Sequence, residues 1–407
     1  MHHARSGAKL SNERDANNLM NILLTGGRAP ATLELARAFH RSGHTVFMAE
    51  SLRGHLSQPS RSIYKNFFIP PPRQQTGKFI QALRNIIDEN KVDLLIPTCE
   101  EIFYTAMYRE QLPCRVFVEP IEKLNALHNK WTFILKASEY GLSVPETILI
   151  GGQDDLMRAF NKWQRLVIKP AYSRFAARTL ILPTFSEALA SLPMDLNQPM
   201  IAQQYIQGQG FCTYSICHHG QLTAHTTYPS NFTAGKTGTI LLYHVEHAGI
   251  LSWVRKIVNA MKFTGQIAFD FVETSNGEIF AIECNPHANG ISAVLLASNS
   301  DLTSAFLDPS TPCINPKSNT SAMLSAGMLI YALPTALRNR GFLKWLKAFF
   351  SSRDFVFRWD DPMPALLQGR SLLHYFKFAH KNKLSLLDAS MFDIEWNGFS
   401  TSSQESL

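Results

Sequence analysis

The sequence predicts a parallel α/β unit joined to an α+β module and a mostly helical C-terminal piece. Apolar strand-like runs alternate with amphipathic stretches from Asn21 to about Leu127, the order of a parallel α/β unit. A strand–turn–strand follows at 267–292, with Asp270 on its first run and Glu283 and Asn285 closing its second. Beyond Asp308, a linker rich in Pro, Ser and Asn leads into helical spacing. At 407 residues the chain exceeds a single core. The expected parts are a flexible tail (1–20), an α/β domain (21–127), a second domain (128–307) and a helical segment (308–407).

Taken in order, residues 1–18 are polar and lack the apolar core of a signal peptide, so a flexible tail is expected. Residues 21–25 read as a buried strand and 29–42 as a helix with Leu33, Ala36 and Phe39 on one side. Gly43 ends that helix and 44–49 form the next strand. A second helix spans 76–90 and a third strand 93–97. The turn Thr25-Gly26-Gly27-Arg28 lacks the later glycines of a dinucleotide fingerprint, although Glu50 closes the second strand as a ribose acid would. No Tyr-x-x-x-Lys pair occurs, which counts against a dehydrogenase. Glu100 and Glu101 lie just past a strand end, where they either recognise an amine or form an acidic helix N-terminus.

Residues 130–140 read as a linker helix ended by Gly141. Strands at 146–150 and 165–170 flank a helix near 154–163. Strands at 200–206, 211–218 and 222–228, a helix at 251–262 and the hairpin complete an α+β order. His244, Glu246 and His247 are either a solvated loop or a metal-binding group. Helical spacing returns at 324–337, 342–350 and 366–380.

Hydrophobic content of 45% and charge of 17% describe an ordinary globular chain. Six cysteines without a Cys-x-x-Cys pair argue against a zinc knot or disulfide framework and fit a reducing, cytoplasmic setting. No 18-residue apolar run exists, so no membrane span is expected. The net charge of +7 is local: 338–383 holds ten Lys or Arg against three Asp, and the rest balances at 29 of each sign. The body is thus not a nucleic-acid binder by charge. The basic segment, interleaved with aromatics and cut by Pro334, Pro362 and Pro364, is expected to pack those aromatics and leave its lysines in water. Attachment to an anionic surface is the alternative.

The chemistry concentrates in the hairpin. A turn at Asn276-Gly277 sets the two runs side by side. Glu283 and Asn285 are two residues apart and share one strand face. Three hard oxygen ligands then converge, a set suited to Mg²⁺ held jointly with phosphate.

The tract resembles the end of an ATP-grasp domain, where an acid or amide is followed by a Glu-x-Asn-Pro-Arg run. Asp270 fills the first position and Glu283-Cys284-Asn285-Pro286 the second, with His287 in place of the family's arginine. The resemblance runs from about Asn21 to Ser300, and NILLTGGRAPATLELARAFHRSGHTVFMAES is similar to the opening of carbamoyl-phosphate-synthase-like members. It implies a Rossmann-like pre-ATP-grasp unit, a two-lobed ATP-grasp domain and a helical appendage. It implies ATP and two Mg²⁺ ions, with Mn²⁺ able to substitute, and metal ligands Asp270, Glu283 and Asn285. Lys130 and Lys169 become the phosphate cations. The loop 171–178 becomes a phosphate lid without glycine, using Ser173 and either Arg174 or Arg178. The tract 201–208 becomes the adenine hinge, with Gln203, Gln204, Tyr205 and Ile206 reading the base through the backbone. The family's ribose acid falls on Gly210, which leaves the ribose to Gln209 or another residue. His287, or else Arg174, takes the charge role at the transferring phosphoryl group. The implied activity joins a small-molecule carboxylate to an amine, or less readily a thiol. The alternatives are nucleotide binding without catalysis and an NAD(P)-dependent dehydrogenase. No nucleic-acid partner is implied, and a homodimer is left open.

Overall fold

Apolar strands that pair in parallel organise the first part of the chain. In the computed structural model, residues 19–398 are described except 175–177, 193–198, 231–232, 235–237, 289–295, 297–298, 300, 318–319 and 339–340. The chain divides into two compact units. Unit 1 is Met1–Phe117 with Phe357–Ile394, and unit 2 is Val118–Val356 with Glu395–Leu407. The stretch beyond 308 is thereby shared between both units.

Unit 1 holds a parallel five-stranded sheet in the order β3-β2-β1-β4-β5. The strands are β1 (Asn21–Thr25), β2 (Thr45–Glu50), β3 (Lys65–Phe68), β4 (Leu94–Ile96) and β5 (Arg115–Val116). Ile22, Leu23 and Leu24 are all fully buried, as a strand covered on both faces requires. Helix Pro30–Arg41 starts with proline at its first position, and helix Thr76–Asn90 ends on Lys91 in the left-handed conformation. Helix Gln368–Asn382 belongs to this unit.

Unit 2 contains two four-stranded sheets. The first, ordered β6-β9-β7-β8, joins β6 (Thr147–Ile150), β7 (Leu166–Pro170), β8 (Leu180–Ile181) and β9 (Met200–Gln204). Helix Gln153–Lys162 covers it, burying Leu156 and Ala159 against Ile168 and Ala202. The second, ordered β11-β10-β15-β16, joins β10 (Gln209–His218), β11 (Gln221–Pro229), β15 (Gly265–Glu273) and β16 (Ile279–Asn285). Trp253 of helix Ala248–Ala260 packs edge-on to Phe269 and Phe271, fixing that helix to the sheet. A hairpin of β12 (Thr233–Ala234) and β13 (Gly238–Thr239) precedes a small sheet of β14 (Leu241–Tyr243), β17 (Ser321–Met323) and β18 (Arg353–Asp354).

The expected α/β and α+β class is therefore the observed one. The helix expected at 324–337 is broken into Ser325–Gly327, a π-helical turn Met328–Ala332, and Leu333–Arg338. Among the described residues, no helix is long and apolar enough to cross a membrane.

Candidate functional site

The hairpin β15–β16 pairs Asp270 directly with Glu283, and Ala268 with Asn285. Asp270 and Glu283 thus lie opposite each other on one face, and Asn285 follows two residues on. The register shifts between Asp270 and Phe271, leaving Ile282 as an extra residue in β16. Such a bulge takes a backbone group out of the ladder. The Ile282 carbonyl accepts from Lys169 Nζ at 3.3 Å.

Lys169 is buried near the end of β7. Its Nζ also donates to Gln203 Oε1 at 2.9 Å, and Gln203 Nε2 donates to Thr147 Oγ1 at 3.1 Å. Burial lowers the Lys169 pKa to about 8, against the pull of Glu283. Lys130 opens helix Lys130–Glu139, whose N-cap Asn129 accepts from the backbone N–H of Trp131 and Thr132. Lys130 Nζ lies 3.3 Å from Glu283 Oε1 and donates to the Ser173 carbonyl at 3.1 Å. Ser173 therefore meets this lysine through its backbone.

Two buried lysines and two half-buried carboxylates thus share one cluster. Asp270 bears the strain of it. Burial first, and Glu283 second, raise its carboxyl to about 7, with Cys212, Lys130 and Lys169 opposing. Asp270 Oδ1 is buried with no hydrogen-bond partner among the described residues.

Close by is a group of side chains of which the sequence pointed only to His287 and Arg174. His128 ends helix Ile121–His128 and is fully buried. Its ring lies 6.2 Å from His287 and 5.7 Å from Tyr172. Burial, then Arg174, Lys130 and His287, push the His128 pKa well below its ordinary value. His287 is buried and its Nδ1 donates to the Ala288 carbonyl at 2.9 Å. Arg174 is held at the lid by Glu395 Oε1 and Asn397 Oδ1, each at 2.9 Å, and by the Trp396 carbonyl. Trp396 Nε1 and Tyr172 OH both donate to Asn125 Oδ1, at 3.0 and 2.9 Å. Residues 175–177 of the expected lid lie outside the described residues.

The expected hinge joins β9 to β10. The N–H groups of Gln204 and Tyr205 donate to the carbonyls of Glu146 and Arg165, at 2.9 and 3.0 Å. The Arg165 guanidinium lies 4.6 Å over the Tyr205 ring. Gly208 has a steric reason: a Cβ there would come within 2.0 Å of the Glu273 carbonyl oxygen. Gln209 begins β10 opposite Glu273, and its side-chain amide donates to the Gly210 carbonyl at 2.9 Å.

Other expected groups are used structurally. Glu101 accepts from Thr25 Oγ1 at 2.7 Å and from the N–H of Thr98 and Cys99, both at 3.1 Å, at the start of helix Glu101–Met107. His247 caps helix Ala248–Ala260 through Ile250 N–H and lies 3.3 Å from Glu273. Among the described residues, no three His, Cys, Asp or Glu side chains are set to hold a metal without other ligands.

The parallel sheet of unit 1 has its switch point between β1 and β4, where such sheets take ligands. That crevice is filled. Ile394 packs there on Ala29 and Cys99, and only about 10 Å³ remains between Thr25, Gly26, Glu50 and Ile394. Glu50 is bound to Arg28. A dinucleotide needs a cleft of several hundred Å³ and a ribose acid free to accept, so this geometry argues against the dehydrogenase alternative. A second cavity in unit 1, of about 230 Å³, is lined by Glu50, Arg53, His55 and His374 and by none of the residues expected to hold ATP or metal.

No family model matches the sequence. An uncharacterized protein of Methanocaldococcus jannaschii is 23% identical over 185 residues, 42% of this chain and 43% of that protein. The match therefore spans less than half of that relative. Solved structures are similar over more of the chain. N5-carboxyaminoimidazole synthetase from Staphylococcus aureus has a TM-score of 0.61 at 12% identity, covering 79% of this chain and 86% of its own. Biotin carboxylase from Campylobacter jejuni has 0.56 at 13% identity, covering 71% and 68%. L-amino acid ligase from Bacillus licheniformis has 0.55 at 14% identity, covering 69% and 70%. At these identities the likeness is one of fold, and the chain has the ATP-grasp fold.

Proposed function

We propose that the chain is an ATP-dependent ligase that activates a small carboxylate as an acyl phosphate and joins it to an amine or a thiol. The observation that carries this reading is the meeting of buried Lys130 and Lys169 with half-buried Asp270 and Glu283 in one cluster of unit 2. The fold is shared with two enzymes that act as ligases or synthetases and a carboxylase.

The residues present fit a hard cation. Two facing carboxylates, one with an orphaned buried oxygen, stand beside the Asn285 amide as a hard oxygen donor set. Asp270, Glu283 and Asn285 would hold Mg²⁺, with two ions expected and Mn²⁺ able to substitute. When bound, the metal would neutralise charge on the phosphate oxygens.

The chain's own residues do the positioning. Lys130 and Lys169 bind and orient the phosphates as point charges. Gln203 and the Ile282 carbonyl fix the Lys169 ammonium in place. Arg174 and Lys130 set a positive field beside the lid, in which the buried His128 stays uncharged. Because the Gln204 and Tyr205 N–H groups already bond to the Glu146 and Arg165 carbonyls, the base would be read from Ile206 onward, and Gln209 would take the ribose. A screen for ADP release against amino acids and small carboxylates, with Mg²⁺ present, tests this. Carboxylate-dependent ADP release that disappears in Glu283→Gln supports it.

Arg174 favours a second reading. Its guanidinium is engaged by the chain itself, which suits a protein that binds nucleotide without turning it over. ATP binding by calorimetry with no ADP release for any carboxylate would establish that reading instead.

A further inference from the structure

The basic surplus of this chain travels with exposed apolar side chains. In unit 2, helices Leu333–Arg338 and Phe342–Ser351 close on each other through Ala336 and Trp345, in one buried cluster with Met328 and Ala332. Trp345 and Phe355 are buried, as packed aromatics should be. The sides turned away from that cluster are apolar as well. Ile330 and Leu337 are 64% and 59% exposed, and Leu343 and Phe350 are 79% and 78% exposed. Leu343 and Phe350 are seven residues apart, so they share one helical stripe, and Lys347 lies four residues from Leu343 beside it. Lys344 and Arg338 are exposed too. From 325 to 351 there are four Lys or Arg and no Asp or Glu.

The same combination recurs in unit 1. Helix Gln368–Asn382 exposes Leu373 at 61% and Phe376 at 54%, and residues 362–387 hold four Lys or Arg and no acid. Two of the acids in the intervening stretch turn inward. Asp361 is buried on Arg37 and Ser60, while Asp354 accepts from the N–H groups of Ser325 and Val356. Single exposed leucines are ordinary on a protein surface. Stripes of them flanked only by cations are not, because leaving that much apolar surface in water costs free energy that burial against another apolar phase would recover.

We propose that helix Phe342–Ser351 and the preceding helical turns attach to the surface of an anionic lipid bilayer. Leu343, Phe350, Leu337 and Ile330 enter the headgroup boundary, while Lys344, Lys347 and Arg338 stay level with the phosphates. A second copy of this chain is a poor occupant. A two-fold contact would set the same cations against themselves without an acid to meet them. An acidic protein partner would need a shaped pocket for each of these side chains, whereas a bilayer takes them up without shape matching.

Flotation of the full chain with phosphatidylcholine vesicles, with and without phosphatidylglycerol, tests the proposal. At least tenfold stronger partition into the anionic vesicles is expected, with loss of most of it near about 0.5 M salt, where the Debye length is only a few Å. The double variant Leu343→Ser/Phe350→Ser should partition at least tenfold less, and Lys344→Gln/Lys347→Gln should lose the salt-sensitive part. Both change exposed residues, so thermal melting should match the parent. The corresponding change at Leu373 and Phe376 reads the contribution of the second helix separately. No binding to anionic vesicles, or binding that neither unit 2 double variant reduces, overturns the proposal. Sedimentation of the lipid-free chain settles the competing occupant. A dimer split by Leu343→Ser/Phe350→Ser, without vesicle binding, assigns the surface to a second copy and overturns it as well.

Discussion

Arg174 and Glu395 are 221 residues apart in sequence and 2.9 Å apart in unit 2. Asn397 and the Trp396 carbonyl accept from the same guanidinium. The cation expected to serve the phosphate lid is thus already bound, by a short run of chain that supplies one carboxylate and two further acceptors.

This arrangement predicts a gain of affinity on loosening the pair. Glu395→Gln keeps the shape and removes the charge. If Arg174 serves phosphate, ATP should bind about three- to tenfold more tightly, part of the 1.5–3 kcal/mol typical of hydrogen bonds to charged groups. In an Arg174→Ala background the same change should do nothing, since the interaction energy of a double-mutant cycle belongs to the pair. Titration of all four proteins with ATP decides it. Equal effects of Glu395→Gln in both backgrounds would show that Arg174 has no part in binding.

The facing carboxylates predict opposite effects on activity and stability. Glu283→Gln should lower turnover by on the order of 10³-fold, the scale of a lost charge partner in the transition state. Asp270→Asn should also lose turnover, yet it should melt at a higher temperature than the parent in the presence of a chelator. Burial and the Glu283 charge both penalise the Asp270 carboxylate, and the amide escapes that cost. A lower melting temperature for Asp270→Asn would contradict the like-charge account.

The convergence of Asp270 and Glu283 was legible in the sequence, because an Asn-Gly turn between two strand-like runs sets their ends side by side, although their direct pairing depends on the bulge at Ile282. The alternation of strand and helix in unit 1 was also legible. His128 was not. It sits in the last turn of a short amphipathic helix that carries no motif, and its neighbours Tyr172 and His287 come from other parts of the chain. The bulge at Ile282 was hidden because nothing in an apolar run marks which residue leaves the ladder. The exposure of Leu343 and Phe350 was hidden too. A helix with apolar residues on several sides gives no indication of which side faces the core.

Lys169 carries a pH dependence. Burial brings its pKa to about 8, so the free protein loses this ammonium as pH rises through that value. Phosphate needs the charged form, so ATP affinity should hold below pH 8 and fall above it. Lys169→Arg, whose guanidinium stays charged, should flatten that limb, and Lys169→Ala should weaken ATP binding about tenfold or more at neutral pH. Calorimetric titrations across pH 7–10 measure each. A wild-type profile that stays flat through this range would remove Lys169 from the phosphate site.

Arg28 ties unit 1 together. Its guanidinium reaches Glu50 at 2.5 Å and both oxygens of Asp393, at 2.7 and 2.8 Å, with all three side chains buried. Burial by itself would raise the Glu50 pKa, but Arg28 outweighs it, and with His55 and the Leu52 N–H holds that carboxyl at about 2. The sign follows from linkage. A depressed carboxyl pKa contributes stability that is present above its ordinary value near 4.5 and is lost as pH falls toward 2. Arg28→Met keeps the bulk and leaves two buried carboxylates without their partner. At neutral pH it should destabilise unit 1 by about 3–5 kcal/mol, the usual cost of removing one member of a buried ion pair. As pH falls from about 4.5 toward 2, the parent loses the stability that the depressed Glu50 carboxyl contributes while the variant has none of it to lose, so the gap between the two proteins should close. Hydrogen exchange of the β1 and β2 amides in urea reports unit 1 by itself. A gap that stays constant from pH 7 to pH 3 would mean that Arg28 contributes packing alone and that its charge is not what holds Glu50 and Asp393 in place.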